Sequence, residues 1–313
     1  MAINRPRPWL AGVSLTFAAI ALLLCLAASA AATTGGAPTA AGAPAPSGSP
    51  TGTPASEAPS AGALSIVSAQ TTPRKSFFYG VRYPSLRFSI GSSQQQNDLQ
   101  IDVVNSAGEV VRSFYRNDVE PNLEVRIRWD GTTSEGHPAR NGRYSFRIEP
   151  QGGTELAARA STSESLSLGF ALYGYAFPIL GPHEFGMGAG RFGAARSGHT
   201  HEGQDTMAAC GAALIAARGG TVQYSGYQYA AGNYIVIDGK GTGFDFMYAH
   251  LAEPSPLKTG EAVRTGQPIG IVGDTGDAVG CHLHFEIWTA PGWYEGGSPI
   301  DPLPYLEKWD AYS

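Results

Sequence analysis

The sequence has little cysteine and little charge. Its 3 cysteines in 313 residues are too few for a scaffold held together by many disulfides. Charged residues make up 15% of the chain, against about 25% in an average globular protein, so part of it is not ordinary globular surface. The formal net charge is −5. A protein with this charge is not suited to neutralise the many phosphates of a nucleic acid, and we expect no nucleic-acid partner.

Glycine and proline are abundant instead, with 41 and 22 residues. Arg5 and Arg7 precede an uncharged apolar run from Trp9 to about Ala32 that ends in small residues. This pattern predicts a signal peptide over residues 1–32; the alternative is an uncleaved membrane anchor. Except for Glu57, residues 33–63 are Ala, Gly, Pro, Ser or Thr, and we predict a disordered linker over residues 33–75. The chain is therefore expected outside the cytoplasm, secreted or attached to the envelope, with membrane contact at most through the uncleaved segment.

The middle of the chain alternates apolar and polar residues with a period of two. Four segments show it, around Leu86–Ile90, Leu99–Val103, Leu123–Trp129 and Tyr144–Ile148. Strict alternation bounded by turn residues is typical of half-buried antiparallel strands. We predict a β-sandwich over residues 76–150, followed by a connector over residues 151–175.

Trp129-Asp130-Gly131 and the segment from Gly142 to Arg147 resemble the immunoglobulin-like module of flagellar hook-cap (FlgD-like) proteins. The resemblance implies a fold and no activity. The module carries four outward arginines, which could bind an anionic wall polymer or could simply be solvated surface: Arg126, Arg128, Arg143 and Arg147.

The last third contains three histidine motifs. They are His201-Glu202-Gly203-Gln204-Asp205, Tyr248-Ala249-His250-Leu251 and Cys281-His282-Leu283-His284-Phe285-Glu286. Residues two apart on a strand share a face, so His282 and His284 point together while Leu283 and Phe285 point into a core. With His201 and Asp205 added, the motifs offer more donors than the three protein ligands of a catalytic zinc site.

This set of motifs, in this order and within its Gly-rich frame, resembles the lysostaphin/LytM-type zinc endopeptidases that cut peptidoglycan peptides. The frame includes Arg196, Gly232-Asn233 and the segment Gly273-Asp274-Thr275-Gly276. The resemblance covers about residues 183–288 and implies one zinc ion held by His201, Asp205 and His284. It implies that His250 and His282 are the catalytic histidines, within an antiparallel β domain with a groove over residues 176–308.

Chemistry agrees with that division. Two neutral imidazoles and one carboxylate leave zinc with one net positive charge and an open position, so that it can polarise a peptide carbonyl and activate water. One remaining histidine can move the proton and the other can stabilise the oxyanion. Which of His250 and His282 does which stays open.

Cys210 and Cys281 each lie a few residues from a ligand motif. In an exported protein two such cysteines suggest a disulfide. The alternatives are a thiolate ligand beside His282, or two free buried thiols.

The aromatic residues near the motifs have two interpretations. They are Tyr224, Tyr227, Tyr229, Tyr234, Trp288, Trp293 and Tyr294. Some could contact substrate in the groove, but aromatic side chains in a β domain usually belong to the core. The segment from Ile235 through a turn to His250 predicts a hairpin that carries His250 to the sheet.

Taken together, the sequence predicts an exported, monomeric, all-β protein with two modules that hydrolyses stem or cross-link peptides of peptidoglycan. One alternative is a non-catalytic wall-binding protein that activates another hydrolase. Another is an adhesion protein in which the sandwich carries the function.

Overall fold

A computed structural model describes residues 64–151, 168–196 and 198–313. The predicted signal peptide and the linker up to residue 63 lie outside the described residues. Strands dominate and, among the described residues, neighbouring strands pair antiparallel except β2 and β8. The structure is therefore all-β, as predicted.

The first half forms two sheets, in the orders β1-β3-β6 and β2-β8-β7-β4-β5. The strands are β1 Ser65–Thr72, β2 Lys75–Phe77, β3 Ser85–Gly91, β4 Asn97–Asn105, β5 Val110–Val119, β6 Val125–Arg128, β7 Gly142–Pro150 and β8 Gly169–Tyr173. Alternate residues of β3, β4 and β7 are buried and form one apolar cluster around Trp129. The predicted alternation is thereby confirmed, except that Leu123 is 56% exposed and precedes β6.

Two strands of the sandwich lie outside the predicted bounds of residues 76–150. Strand β1, which pairs with β3, lies inside the predicted linker of residues 33–75. Strand β8, which pairs with β7, lies inside the predicted connector of residues 151–175. Strand β1 is an edge strand that pairs through backbone hydrogen bonds, which need no strong apolar pattern. Strand β8 lies between β7 and β2 and places Phe170 and Leu172 in the sandwich core.

The four arginines do not form one patch. Arg126 and Arg128 belong to β6, whereas Arg143 and Arg147 belong to β7 in the other sheet. Arg147 also pairs with Asp102 at 2.9 Å and with Glu149 at 3.0 Å. The four arginines are therefore divided between the two sheets of the sandwich.

The second half is built on a larger sheet with the order β10-β11-β18-β15-β14-β13-β16, in which β19 also pairs with β18. A small sheet, β17-β12-β9, packs beside it. The strands are β9 Ile179–Leu180, β10 His183–Phe185, β11 Gln204–Ala208, β12 Ala213–Ile215, β13 Gly220–Gln228, β14 Gly232–Gly239, β15 Phe244–Leu251, β16 Ala262–Val263, β17 Pro268–Ile271, β18 His282–Thr289 and β19 Pro299–Ile300. The predicted hairpin that leads to His250 is β14 and β15.

The large sheet is covered on both faces. Leu283, Phe285 and Ile287 of β18 enter the main core, together with Trp309 of the helix α1 Leu303–Asp310. Alternate residues face the other way, where Trp288 packs in a second cluster with Met247 and Trp293. His282 and His284 share this second face of the sheet with the aromatic cluster. The main core packs against the opposite face.

Side chains also join the two halves. Thr265 Oγ1 donates to Phe78 O at 2.8 Å and accepts from Gly219 N at 2.9 Å. The guanidinium of Arg218 lies 4.5 Å from the centre of the Phe78 ring. Within the described residues, no helix has the length and apolar character needed to cross a membrane.

Candidate metal centre and active site

His201, Asp205 and His284 meet at the junction of two paired strands. Asp205 on β11 lies directly opposite His284 on β18, and the loop before β11 supplies His201. His201 Nε2 is 3.0 Å from Asp205 Oδ1 and 2.9 Å from His284 Nδ1, and the last two atoms are 3.0 Å apart. The structure therefore brings the three predicted ligands to one point.

Backbone shape and an arginine support this triangle. A Cβ added to Gly203 would lie 2.8 Å from the ring of His284 and 2.6 Å from Phe285 O. Only glycine leaves room for the ring there. Arg196 donates to the second oxygen of Asp205 at 3.3 Å and to Ala189 O at 2.8 Å. The carboxylate is thus oriented with Oδ1 towards the two imidazoles.

Each imidazole of the triangle has an inner nitrogen that faces the other two ligands and an outer nitrogen that points away from them. The hydrogen bond of the outer nitrogen determines whether the inner one carries a proton. His201 Nδ1 lies 2.8 Å from Arg191 O and His284 Nε2 lies 2.8 Å from Glu286 Oε1, so each outer nitrogen donates a proton. In the neutral rings both inner nitrogens are then lone-pair acceptors, and they face a carboxylate oxygen. Three acceptors that converge at about 3 Å need a cation between them. The two nitrogens and one oxygen are also a donor set that zinc accepts, so the residues fit such an ion.

The pKa values of His284 and Asp205 reflect the same convergence of acceptors. Burial alone would lower the pKa of His284, but hydrogen bonds with Asp205 and Glu286 raise it to about 9. Burial alone would raise the pKa of Asp205, but the contacts with His201 and His284 bring it well below its ordinary value. Without a metal, a proton on His284 therefore supplies the positive charge that the triangle requires.

His250 and His282 lie next to the triangle, with their ring centres 4.7 Å apart. His250 is the penultimate residue of β15 and has φ 59°, a left-handed conformation that is uncommon for residues other than glycine. His250 Nδ1 donates to Thr275 O at 2.8 Å, and His282 Nδ1 donates to Gly280 O at 2.9 Å. Each ring is left with Nε2 for other partners, and burial lowers the pKa of His250 to about 4, so it is neutral near pH 7.

Two glycine-containing segments of the sequence hold His250 in place. Thr275, from Gly273-Asp274-Thr275-Gly276, accepts the ring proton through its carbonyl, and its hydroxyl donates to Leu251 O at 2.6 Å. Asn233 N donates to the same hydroxyl at 3.0 Å. Gly232 has φ 64°, and a Cβ there would collide with Thr275. The Gly-Asn and Asp-Thr-Gly segments therefore act together to hold the end of β15 that carries His250.

A disulfide joins Cys210 to Cys281 across 71 residues. It links the segment after β11 to the residue before His282. The two alternatives, a thiolate ligand and free buried thiols, are wrong because both sulfur atoms are used in the bond.

Residues 199–302 match the model of Peptidase family M23. Residues 85–153 match the model of the FlgD Ig-like domain. The M23 segment contains all five histidine and aspartate side chains described above. The FlgD-type segment covers most of the sandwich, so both resemblances found in the sequence are confirmed.

Curated relatives match the M23 part of the chain. The peptidoglycan DD-endopeptidase ShyC of Vibrio cholerae is 42% identical over 87 residues, which cover 28% of this chain and 20% of ShyC. The lipoprotein NlpD/LppB homolog of Pseudomonas aeruginosa is 34% identical over 141 residues, which cover 45% of this chain and 42% of that protein. The chain thus spans less than half of either relative. Among solved structures, the catalytic domain of lysostaphin from Staphylococcus simulans is 28% identical and covers 40% of this chain and 92% of that domain, with a TM-score of 0.36.

A groove of ≈ 570 Å³ opens over the M23 site. Tyr294 lines it, is 64% exposed and donates to Glu202 Oε2 at 2.6 Å. Trp288 and Trp293 are only 4% and 7% exposed and pack in the aromatic layer under the site. Tyr294 thus presents an exposed ring to the groove, whereas Trp293 reaches the groove wall but is mostly buried with Trp288 in the aromatic layer.

The sequence reasoning gave no role to two residues of the M23 site. Arg196 was noted only as part of the family frame, although it holds Asp205. Glu286 ends the third motif and is bonded to His284, and its position two residues further along the same strand face was the available signal.

Proposed function

We propose that this protein is an exported, zinc-dependent endopeptidase that hydrolyses peptide bonds in the stem or cross-link peptides of bacterial peptidoglycan. One observation carries the proposal. Three lone-pair acceptors of His201, Asp205 and His284 converge at about 3 Å, beside the imidazoles of His250 and His282 and under an open groove. The match to Peptidase family M23 and the similarity to ShyC, a peptidoglycan DD-endopeptidase, support the substrate class.

The ion would be held by His201 Nε2, Asp205 Oδ1 and His284 Nδ1. When bound, zinc supplies a Lewis acid that polarises a peptide carbonyl and makes water a usable nucleophile near neutral pH. His250 and His282 both keep Nδ1–H on a backbone carbonyl and direct Nε2 to the reaction. One Nε2 accepts the proton of the attacking water and then gives it to the leaving amine, while the other ring, when protonated, donates to the oxygen that becomes negative.

The remaining parts of the chain fit this function as follows. Residues 1–32 act as a signal peptide and the residues up to 63 as a linker, so that the enzyme works outside the cytoplasm at the wall. The FlgD-type sandwich begins with β1, and the peptidase domain extends from about residue 176 through α1 as a monomer. Its partner is the peptide part of peptidoglycan.

The proposal is tested with the full purified chain. We expect about one zinc per molecule and clearing of a peptidoglycan suspension that stops with chelator and returns with zinc. Mass analysis of the soluble fragments should find new amine and carboxyl ends within peptides. Clearing that is indifferent to chelator, or intact peptides in every wall type tested, would contradict it.

The rival function, a non-catalytic activator of another hydrolase, has no need for converging metal ligands or for two free imidazole nitrogens. A His284→Ala variant separates the two functions. Loss of peptide cleavage together with loss of zinc supports the enzyme. Full biological function in that variant would favour the activator.

A further inference from the structure

Glu286 is a buried carboxylate in contact with a predicted metal ligand. It lies on β18 two residues after His284, on the same face, and is 5% exposed. Its Oε1 accepts from His284 Nε2 at 2.8 Å, and its Oε2 accepts from Trp288 Nε1 at 2.6 Å and from Trp293 Nε1 at 3.0 Å. The two indoles hold one oxygen in place and leave the other for the histidine.

His284 differs from the other three imidazoles of the site. His201, His250 and His282 each give the outer Nδ1 to a backbone carbonyl and turn Nε2 inwards. His284 is reversed, with Nδ1 inwards and Nε2 outwards. Its outer partner is a side chain rather than the backbone. The orientation of this one ring therefore depends on a residue that can be replaced.

We propose that Glu286 is a positioning residue that keeps the proton of His284 on Nε2 and so presents the Nδ1 lone pair to the metal. The proposal rests on the proposed function only in so far as the site binds zinc. A carboxylate in this outer position also makes the imidazole a better donor, and losing such partners typically weakens metal binding about 10- to 100-fold. Trp288 and Trp293 act through Glu286 by fixing its rotamer.

The competing explanation is that Glu286 merely anchors the two tryptophans in the aromatic layer. Glu286→Gln tests this with little change in volume. The glutamine has one amide oxygen, which can accept from His284 or from the two indoles but not from both sides. Its NH₂ group then faces the N–H donors on the other side, which lose their acceptor. Zinc binding should suffer even if the layer stays packed.

Asp245→Asn is the matched control. Asp245 is also a carboxylate, is 5% exposed and packs against the same Trp293, but it accepts from the backbone amide at 2.8 Å and lies on β15 opposite Trp288. Its replacement disturbs the aromatic layer without touching His284. A purely structural role for Glu286 predicts equal effects of the two substitutions.

The experiment measures zinc dissociation constants of the full chain by competition with a chromophoric chelator. We expect Glu286→Gln to bind zinc about 10- to 100-fold more weakly, and Asp245→Asn to bind it as the wild type does. The visible spectrum of the cobalt-loaded protein should change in the first variant only. Equal zinc affinity in folded Glu286→Gln and wild type would overturn the proposal, as would equal losses in both variants.

A second measurement needs no variant, and it can overturn the proposal even if Glu286→Gln does not fold. In the zinc-loaded wild type, nitrogen-15 NMR should find the His284 proton on Nε2 and the metal on Nδ1. A proton on Nδ1 would overturn the proposal. Failure of the proposed function is recognised separately: a wild type that binds zinc but cuts no wall peptide refutes the activity and leaves the role of Glu286 standing.

Discussion

The sandwich and the peptidase sheet each bury an aspartate on a strand, and the two aspartates have opposite surroundings. Asp102 on β4 is met only by donors, namely Arg147 at 2.9 Å, Ser113 at 2.7 Å and Gln100 at 3.0 Å. Asp205 faces two imidazole nitrogens whose partners on the far side already take the ring protons. In both residues burial raises the pKa and hydrogen bonds bring it below the ordinary value. A low carboxyl pKa therefore does not by itself identify a metal site. The distinguishing feature is that lone pairs of neighbouring side chains face the carboxylate.

The largest expected effect is from Asp205→Asn. Loss of the ligand charge should remove the zinc and lower peptide cleavage by about 10³-fold or more, because the Lewis acid contributes several kcal/mol to the transition state. Elemental analysis and a cleavage assay check this. Asp102→Asn is the control and should retain both. If Asp205→Asn bound a full equivalent of zinc, Asp205 would be no more necessary for metal binding than Asp102.

Next come His250→Ala and His282→Ala. Each removes a group that moves or donates a proton but does not belong to the acceptor triangle, so cleavage should fall about 10²- to 10⁴-fold with zinc retained. Metal content and rate are measured on the same samples. If either variant lost its zinc along with its activity, that histidine would belong to the ligand set.

The disulfide should affect one region and spare the other. Replacing Cys210 and Cys281 together by serine should destabilise the peptidase half by about 4 kcal/mol in the chain-entropy description of a 71-residue loop. Hydrogen exchange should become faster in β11 and β18. Amides in β4 and β7 serve as the internal control, and equal acceleration there would mean that the two halves unfold together.

The smallest effect is expected for Asp102→Asn on stability. Its charged hydrogen bonds should contribute about 1–3 kcal/mol at pH 7. Because the folded pKa lies below the unfolded value of about 3.9, this contribution is complete above that pH and is lost as the pH falls through the folded pKa. Denaturant titrations should thus find wild type and variant converging in acid. A difference that persisted at low pH would point to packing rather than charge.

The sequence predicted the parts of the fold that bury one face of a strand. Phe88, Ile101 and Phe146 lie in the sandwich core as their alternation indicated. Strand β5 was missed because most of its residues are exposed or half-buried and no alternation remains to be read. Strand β1 was assigned to the linker, since pairing at a sheet edge depends on backbone groups that every residue has. Strand β8 was assigned to the connector because its five residues give only a short alternation, although it lies between β7 and β2.

The candidate site was more predictable than its details. Spacing and order named all five side chains that the structure brings together, because a strand forces His282 and His284 onto one face. The reversed ring of His284 could not be read from the sequence, since the choice of inner nitrogen depends on the three-dimensional position of Glu286. The disulfide between Cys210 and Cys281 was predicted from the sequence, and the structure decided between it and the two alternatives.

Gly203 has a consequence for how this motif tolerates change. Its missing side chain is the space in which the His284 ring lies, so even alanine would push the ring or the neighbouring strand. In a saturation library spanning the motif, selection for activity should return glycine at this position as firmly as histidine at 201. That invariance would come from steric exclusion, at a residue with no side chain to take part in the chemistry.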